Sequence, residues 1–97
     1  MNIKFEENKL TAKHFIMLRE SVGLEGAELQ IVKALQSGLY NVIAKDGDKV
    51  AGMGRIAGDS IMHCYVQDVI VDPQYQGNGI EKEILQLLTQ YVENKLL

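Results

Sequence analysis

The chain is short of proline, cysteine and tryptophan, and it contains no long apolar run. Pro73 is the single proline in 97 residues, and tryptophan is absent. Cys64 is the single cysteine. A lone thiol closes no internal disulfide, which fits a reducing, cytoplasmic setting. No stretch approaches the roughly 18 apolar residues that span a bilayer. The opening Met1-Asn2-Ile3-Lys4-Phe5-Glu6-Glu7 has no apolar core of the kind a secretory leader carries. A basic stripe, the usual footprint of a nucleic-acid binder, is also missing. Lys and Arg number 10 against 13 Asp and Glu, for a net charge of −3. The expected partners are therefore small molecules or proteins, with no nucleic acid and no membrane.

What is present is an ordinary globular composition, 46% hydrophobic and 24% charged. A chain of this size buries about 60–65% of its unfolded surface, enough for one core. Residues 1–97 are thus expected to form one domain.

The hydrophobic period changes along the chain. Ile3 and Phe5 alternate with polar neighbours and predict a short first strand. Thr11 suits a helix N-cap, and Phe15, Leu18 and Val22 recur at helical spacing over Ala12–Val22 until Gly23. A second helix is expected from Ala27 to Gln36, with Leu29, Ile31, Val32 and Leu35 apolar and Gly38 as its C-cap. Tyr40–Ala44 then reads as a strand, Asp46-Gly47 as a hairpin turn, and Lys49–Ile56 as the next strand. Gly52 and Gly54 inside that strand suggest a bulge or a close approach by another group. Gly58-Asp59 reads as a second turn, Ile61–Val71 as a third strand stopped by Asp72-Pro73, and Gly79–Asn94 as the clearest helix. Met53 and Met62 read as core. The expected class is α+β, in the order β-α-α-β-β-β-α, with helices packed on an antiparallel meander.

The informative segment runs from Val66 to Lys82. A strand ends, a glycine-bearing loop follows, and a helix begins. First-turn N–H groups of a helix lack internal partners and sit at the positive end of its dipole. Together they form an anion site suited to phosphate. Gly77 and Gly79 let backbone approach a ligand without a Cβ between them. A plain strand-to-helix turn is the competing reading of glycine content alone.

The segment resembles the signature of the GNAT acetyltransferase superfamily: Gln or Arg, two residues, Gly, one residue, then Gly or Ala. Gln76 takes the first position and Gly79 the fourth. Asp68-Val69-Ile70-Val71-Asp72-Pro73 is similar to the family's fourth strand and its exit. The resemblance implies an acetyl-CoA-dependent N-acetyltransferase fold in which Val69, Ile70 and Val71 meet the pantetheine arm. The loop Gln76, Gly77, Asn78, Gly79, Ile80, Glu81 would hold the pyrophosphate. It also implies direct attack of a primary amine on the thioester, with acetyl-CoA as acyl donor and no metal. Some members place the base on this strand, which makes Asp68 the candidate catalytic residue; an Asp bonded to nearby backbone is the plainer alternative. Strand alternation is expected to send Gln67 and Asp68 to opposite faces.

The chain departs from the pattern twice. Glu81 stands where the family has Gly or Ala, and a carboxylate about 5 Å from a phosphate repels it by roughly 1–3 kcal/mol. The family also continues beyond its helix with further strands, which this chain lacks after Leu97, along with the Tyr that often protonates the leaving thiolate. A non-catalytic acyl-CoA-binding or regulatory module is therefore the alternative to an enzyme. An open β-branched strand from Val66 to Val71 further predicts a homodimer or strand-exchanged assembly. Glu20, Glu25 and Glu28 lie where the family often meets its amine. His63, Tyr65 and Tyr75 are further candidates for ligand contact, His14 reads as solvated, and Cys64 reads as a small core residue.

Overall fold

Alternation of Ile3 and Phe5 with charged neighbours gives β1 (Ile3–Glu7), antiparallel to β2 (Gly38–Asp46). The structure, a computed structural model, describes residues 1–25, 30, 33, 35, 38–60 and 63–96. Between β1 and β2 lies α1 (Ala12–Ser21), whose N-cap Thr11 accepts the His14 N–H at 3.2 Å. Of the second expected helix, Gln30, Lys33 and Leu35 are helical; Ala27, Leu29, Ile31, Val32 and Gln36 lie outside the described residues, as does Met62. Gly38 is not a helix cap but opens β2. A Cβ there would meet Leu35 O at 3.4 Å and Arg55 Nη1 at 3.6 Å, so the glycine serves a tight crossing at the sheet's end.

Asp46-Gly47 makes the expected turn, with Gly47 at φ +61°, into β3 (Lys49–Ser60). Gly58-Asp59 is not a turn. β3 runs through it to Ser60, with a register shift and Gly58 at φ +131°. A glycine followed by Asp signals a hairpin only when the ladder stops there; here it marks a bulge. β4 (His63–Val71) completes an antiparallel sheet in the order β1-β2-β3-β4. Pro73–Tyr75 forms a single 3₁₀ turn, and α2 (Ile80–Tyr91) runs into a π-helical turn, Val92–Leu96.

The sheet is covered on both faces. Val42, Ala44, Ile56 and Val71 pack with Ile80, Ile84 and Leu88 of α2. Ile43, Val50, Met53 and Ile70 pack on the other face with Phe15 and Leu18 of α1. Ile84 and Leu88 are fully buried; each such side chain contributes about 1.5–3 kcal/mol by leaving water. Gly52 and Gly54 are the expected point of close approach. A Cβ on Gly54 would lie 2.5 Å from Ile84 Cγ2 and 3.0 Å from Leu88 Cδ1. The sheet therefore brings α2, and the loop before it, directly against the end of β4. Among the described residues, no helix is long and apolar enough to cross a membrane.

Candidate functional site

The strand-to-helix crossing opens on a cleft of about 600 Å³. Val71, Gln76, Gly77, Gly79, Ile80 and Glu81 line it, joined by Tyr75, Lys82, Leu85, Gln86 and Thr89. Six of the nine residues expected to hold CoA are thus on one surface. The others are placed differently. Ile70 turns its side chain into the α1-side core, and Val69 lies over Gly54 on the α2 side. Asn78 folds back on the loop, its Nδ2 donating to Tyr75 O at 3.0 Å.

Local chemistry explains the loop. Asp72 Oδ1 accepts the Gln74 N–H at 2.9 Å, and Pro73 supplies the fixed φ of a first helical position. Gly77 (φ +84°) and Gly79 (φ +79°) take left-handed backbone, and a Cβ at either would meet nothing within 4 Å. Both are needed for conformation and leave the cleft mouth open. The N-cap Gly79 has no side chain to cap α2, whose backbone bonding begins with Glu83 N–H to Gly79 O at 3.1 Å. The N–H groups of Ile80, Glu81 and Lys82 therefore lack helical acceptors and carry the positive end of the dipole. Glu81 and Lys82, both exposed, set opposite charges side by side on the cleft wall.

The strand edge contributes as well. Asp72 N–H donates to Ala51 O at 2.8 Å. By antiparallel alternation, the backbone of Val71 then faces away from β3. Its carbonyl accepts Gln76 Nε2 at 3.1 Å, tying the loop to the open edge of β4. From behind, the Tyr75 hydroxyl donates to Asp46 Oδ2 at 2.7 Å. That bond holds the Asp46 carboxyl below the usual carboxylate range and pushes the Tyr75 phenol up. Lys49 adds a bond to Gln74 Oε1 at 2.9 Å and lies 5.1 Å from the centre of the Tyr75 ring.

Asp68 stands apart from the cleft. Its Oδ1 accepts Arg19 Nη1 at 3.0 Å and its Oδ2 accepts Arg55 Nε at 2.9 Å. Arg55, 6% exposed, also donates through Nη2 to Gln67 Oε1 at 3.1 Å. The Phe15 ring lies under both guanidiniums, at 5.7 and 5.6 Å. Asp68 has φ +55°, and the register slips between Met53↔Ile70 and Arg55↔Gln67. Two residues thus oppose one at a bulge, which costs about 1 kcal/mol or more for a non-glycine in left-handed backbone. Gln67 and Asp68 consequently do not point to opposite faces; both reach Arg55. The sequence reading passed over Arg19 and Arg55. The available signal was a single Arg between Met53 and Ile56 in the otherwise apolar run Val50–Gly58, one hairpin away from an Asp.

Of the lesser candidates, Tyr75 lines the cleft and the others fall outside it. His63 and Tyr65 are exposed on β4, and Cys64 packs half-buried against the α2-side core. His14 is half-buried, with Nδ1 2.9 Å from Thr11 Oγ1. Glu20 and Glu25 are exposed, and Glu28 is outside the described residues.

An open strand edge, a left-handed glycine loop and an uncapped helix N-terminus thus face one cleft on an α+β sheet. The sequence model of the acetyltransferase (GNAT) family matches residues 9–96, and the chain belongs to that family. It is 30% identical over 83 residues to an uncharacterized ycf52-like N-acetyltransferase of Prochlorococcus marinus. That match covers 80% of this chain and 46% of the relative, so the chain spans about half its length. A GNAT family acetyltransferase from Streptococcus pneumoniae TIGR4 superposes with a TM-score of 0.85 at 27% identity, covering 99% of this chain and 72% of that one. A Mycobacterium tuberculosis protein whose crystal structure is a complex with CoA shares the fold at 22% identity and a TM-score of 0.72, covering 95% and 60%.

Proposed function

We propose that the chain transfers an acetyl group from acetyl-CoA to a primary amine. The observation that carries this reading is the convergence of the β4 edge, the Gln76–Glu81 loop and the α2 N-terminus on a single cleft in a chain of the GNAT family. The pyrophosphate would sit against the free N–H groups of Ile80, Glu81 and Lys82, with Gly77 and Gly79 leaving room for it and Lys82 adding charge. The pantetheine amide would pair with the outward backbone of Val69 and Val71, next to Ile70. The Val71 carbonyl keeps a second lone pair beside its bond to Gln76. Asn78 would hold the loop closed through Tyr75 O. The amine nitrogen attacks the thioester carbon, the C–S bond breaks, CoA leaves as thiolate, and the ammonium gives up a proton. Asp68 as the base that takes this proton is the role the family resemblance offers. Its two oxygens already serve two arginines, which favours a different part for it. A cytoplasmic setting and assembly with a second copy along β4 complete the proposal.

Glu81 on the cleft wall favours one second reading, a module that binds acyl-CoA without turnover. Calorimetric titration with acetyl-CoA, followed by thiol release in the presence of a panel of primary amines, separates the two. Binding with amine-dependent thiol release is expected. Binding with no release from any amine would leave the module, and no binding would dispose of both. Replacing Glu81 by Gln removes a repulsion of roughly 1–3 kcal/mol and is expected to tighten acetyl-CoA about fivefold or more. Equal affinities would show that the carboxylate points away from the phosphates.

A further inference from the structure

We propose that Arg19, Asp68 and Arg55 are positioning residues that lock the β4 bulge and so set which backbone groups of the strand face the cleft. The catalytic part of this proposal rests on the reading of β4 as the donor-binding strand; the structural part does not.

Three observations carry it. First, Asp68 is one of only two non-glycine residues among those described with positive φ, the other being Asn8 in a loop. A strand does not hold such a residue without help from its surroundings. Second, the help is visible. From the paired strand, Arg55 holds the bulge residue Asp68 at 2.9 Å and its neighbour Gln67, the last paired residue before the bulge, at 3.1 Å. Arg19 takes the remaining Asp68 oxygen at 3.0 Å from α1. Third, the pairing buries charge: Arg55 is 6% exposed, and among the described residues Arg19 Nε is buried without a hydrogen-bond partner. Burying such charges adds little net stability once their desolvation is counted, and selecting one conformation is among the uses such pairs have.

The consequence is one of register. On the α2 face, Cys64 and Val66 precede the bulge while Val69 and Val71 follow it. The extra residue is therefore what changes an even series into an odd one. Without the bulge, the strand would present the opposite set of backbone groups at its open edge, because a one-residue slip exchanges the two sets. Arg19 also links this register to α1, so movement of that helix would be felt at the strand.

The test compares Asp68→Asn, Asp68→Ala and Arg19→Gln. Asn tolerates left-handed backbone and still accepts a bond from one guanidinium, but it is no base; Ala does neither. With acetyl-CoA and an amine, Asp68→Asn is expected to keep the pH profile of the wild type and lose only a few-fold in kcat. Asp68→Ala is expected to lose about a hundredfold, the scale of a 1 Å misplacement. Arg19→Gln should raise the KM of the donor and lower kcat, because the backbone groups that pair with the donor shift. Asp68→Asn as inactive as Asp68→Ala, with a pH limb gone, would make Asp68 the base and overturn the proposal. A second readout needs no activity. The backbone HN–Hα coupling of residue 68 and the amide shift of Val69 should hold in Asp68→Asn and move in Arg19→Gln. Unmoved values in Arg19→Gln would also overturn the clamp, even in a protein that acetylates nothing. If Asp68→Ala does not fold, the Asn and Arg19 variants still decide the matter.

Discussion

Tyr40 lies flat on Tyr91, with ring centroids 4.2 Å apart, and donates its hydroxyl hydrogen to Glu7 Oε1 at 2.9 Å. Burial first, and the neighbouring carboxylate second, push its phenol from 10.0 up to about 12. The folded protein therefore holds this proton more tightly than the unfolded chain. The stability it contributes is complete below pH 10 and is lost as the pH rises toward 12. Alkaline unfolding should steepen in that window, and Tyr40→Phe should remove the steepening; an ultraviolet titration that places every tyrosine near pH 10 would contradict it. At this scale the sequence was half legible. Gln76, Gly77, Gly79 and Glu81 announce themselves by spacing, because loop chemistry is local. Arg19 and Arg55 do not, since their significance depends on a bulge at Asp68. Bulges of this left-handed kind are usually marked by glycine, and here an Asp fills the place.

The elements were easier to read than their boundaries. The β2–β3 hairpin follows from Asp46-Gly47, and α2 follows from Ile80, Ile84 and Leu88 on one stripe. Gly58-Asp59 has the same two residue types as Asp46-Gly47 in reverse order, and strand pairing distinguishes the turn from the bulge. Gly52 and Gly54 admit a neighbour, as glycine inside a strand suggests, and the neighbour is α2. Gly54→Ala should drive a methyl into Ile84 and Leu88 and destabilise the fold by about 1–3 kcal/mol, as overpacking does. Denaturant melts would show it, and an unchanged midpoint would mean that α2 can lift. Gly79→Ala leaves the core alone but asks an L residue for φ +79°. It is expected to cost about 1–2 kcal/mol and to weaken acetyl-CoA binding, because the strained residue is the N-cap that aims the free N–H groups.

As a whole, the molecule is one sheet held between α1 and α2, and β4 has a strand neighbour on one side only among the described residues. Its near half reaches the cleft at Val71. Its far half carries Tyr65, 57% exposed, and Val66, 48% exposed. An edge of this kind invites another strand, and the proposed occupant is a second copy. Light scattering at micromolar concentration should give twice the chain mass, and Val66→Lys should return it to a single chain; a monomer throughout would remove the assembly. The overall class was legible because two periods, two and 3.6, alternate clearly along the chain. Which helix covers which face was not, since that depends on bulges that reverse the alternation within β3 and β4.

The bond from Tyr75 to Asp46 joins the back of the cleft to the tip of the β2–β3 hairpin. That tip touches no proposed ligand, yet it is wired to the loop that would. Labels, insertions or a protease cut at Gly47-Asp48 would therefore act as remote handles on donor affinity, and a reporter dye placed there would sense occupancy of the cleft without blocking its mouth.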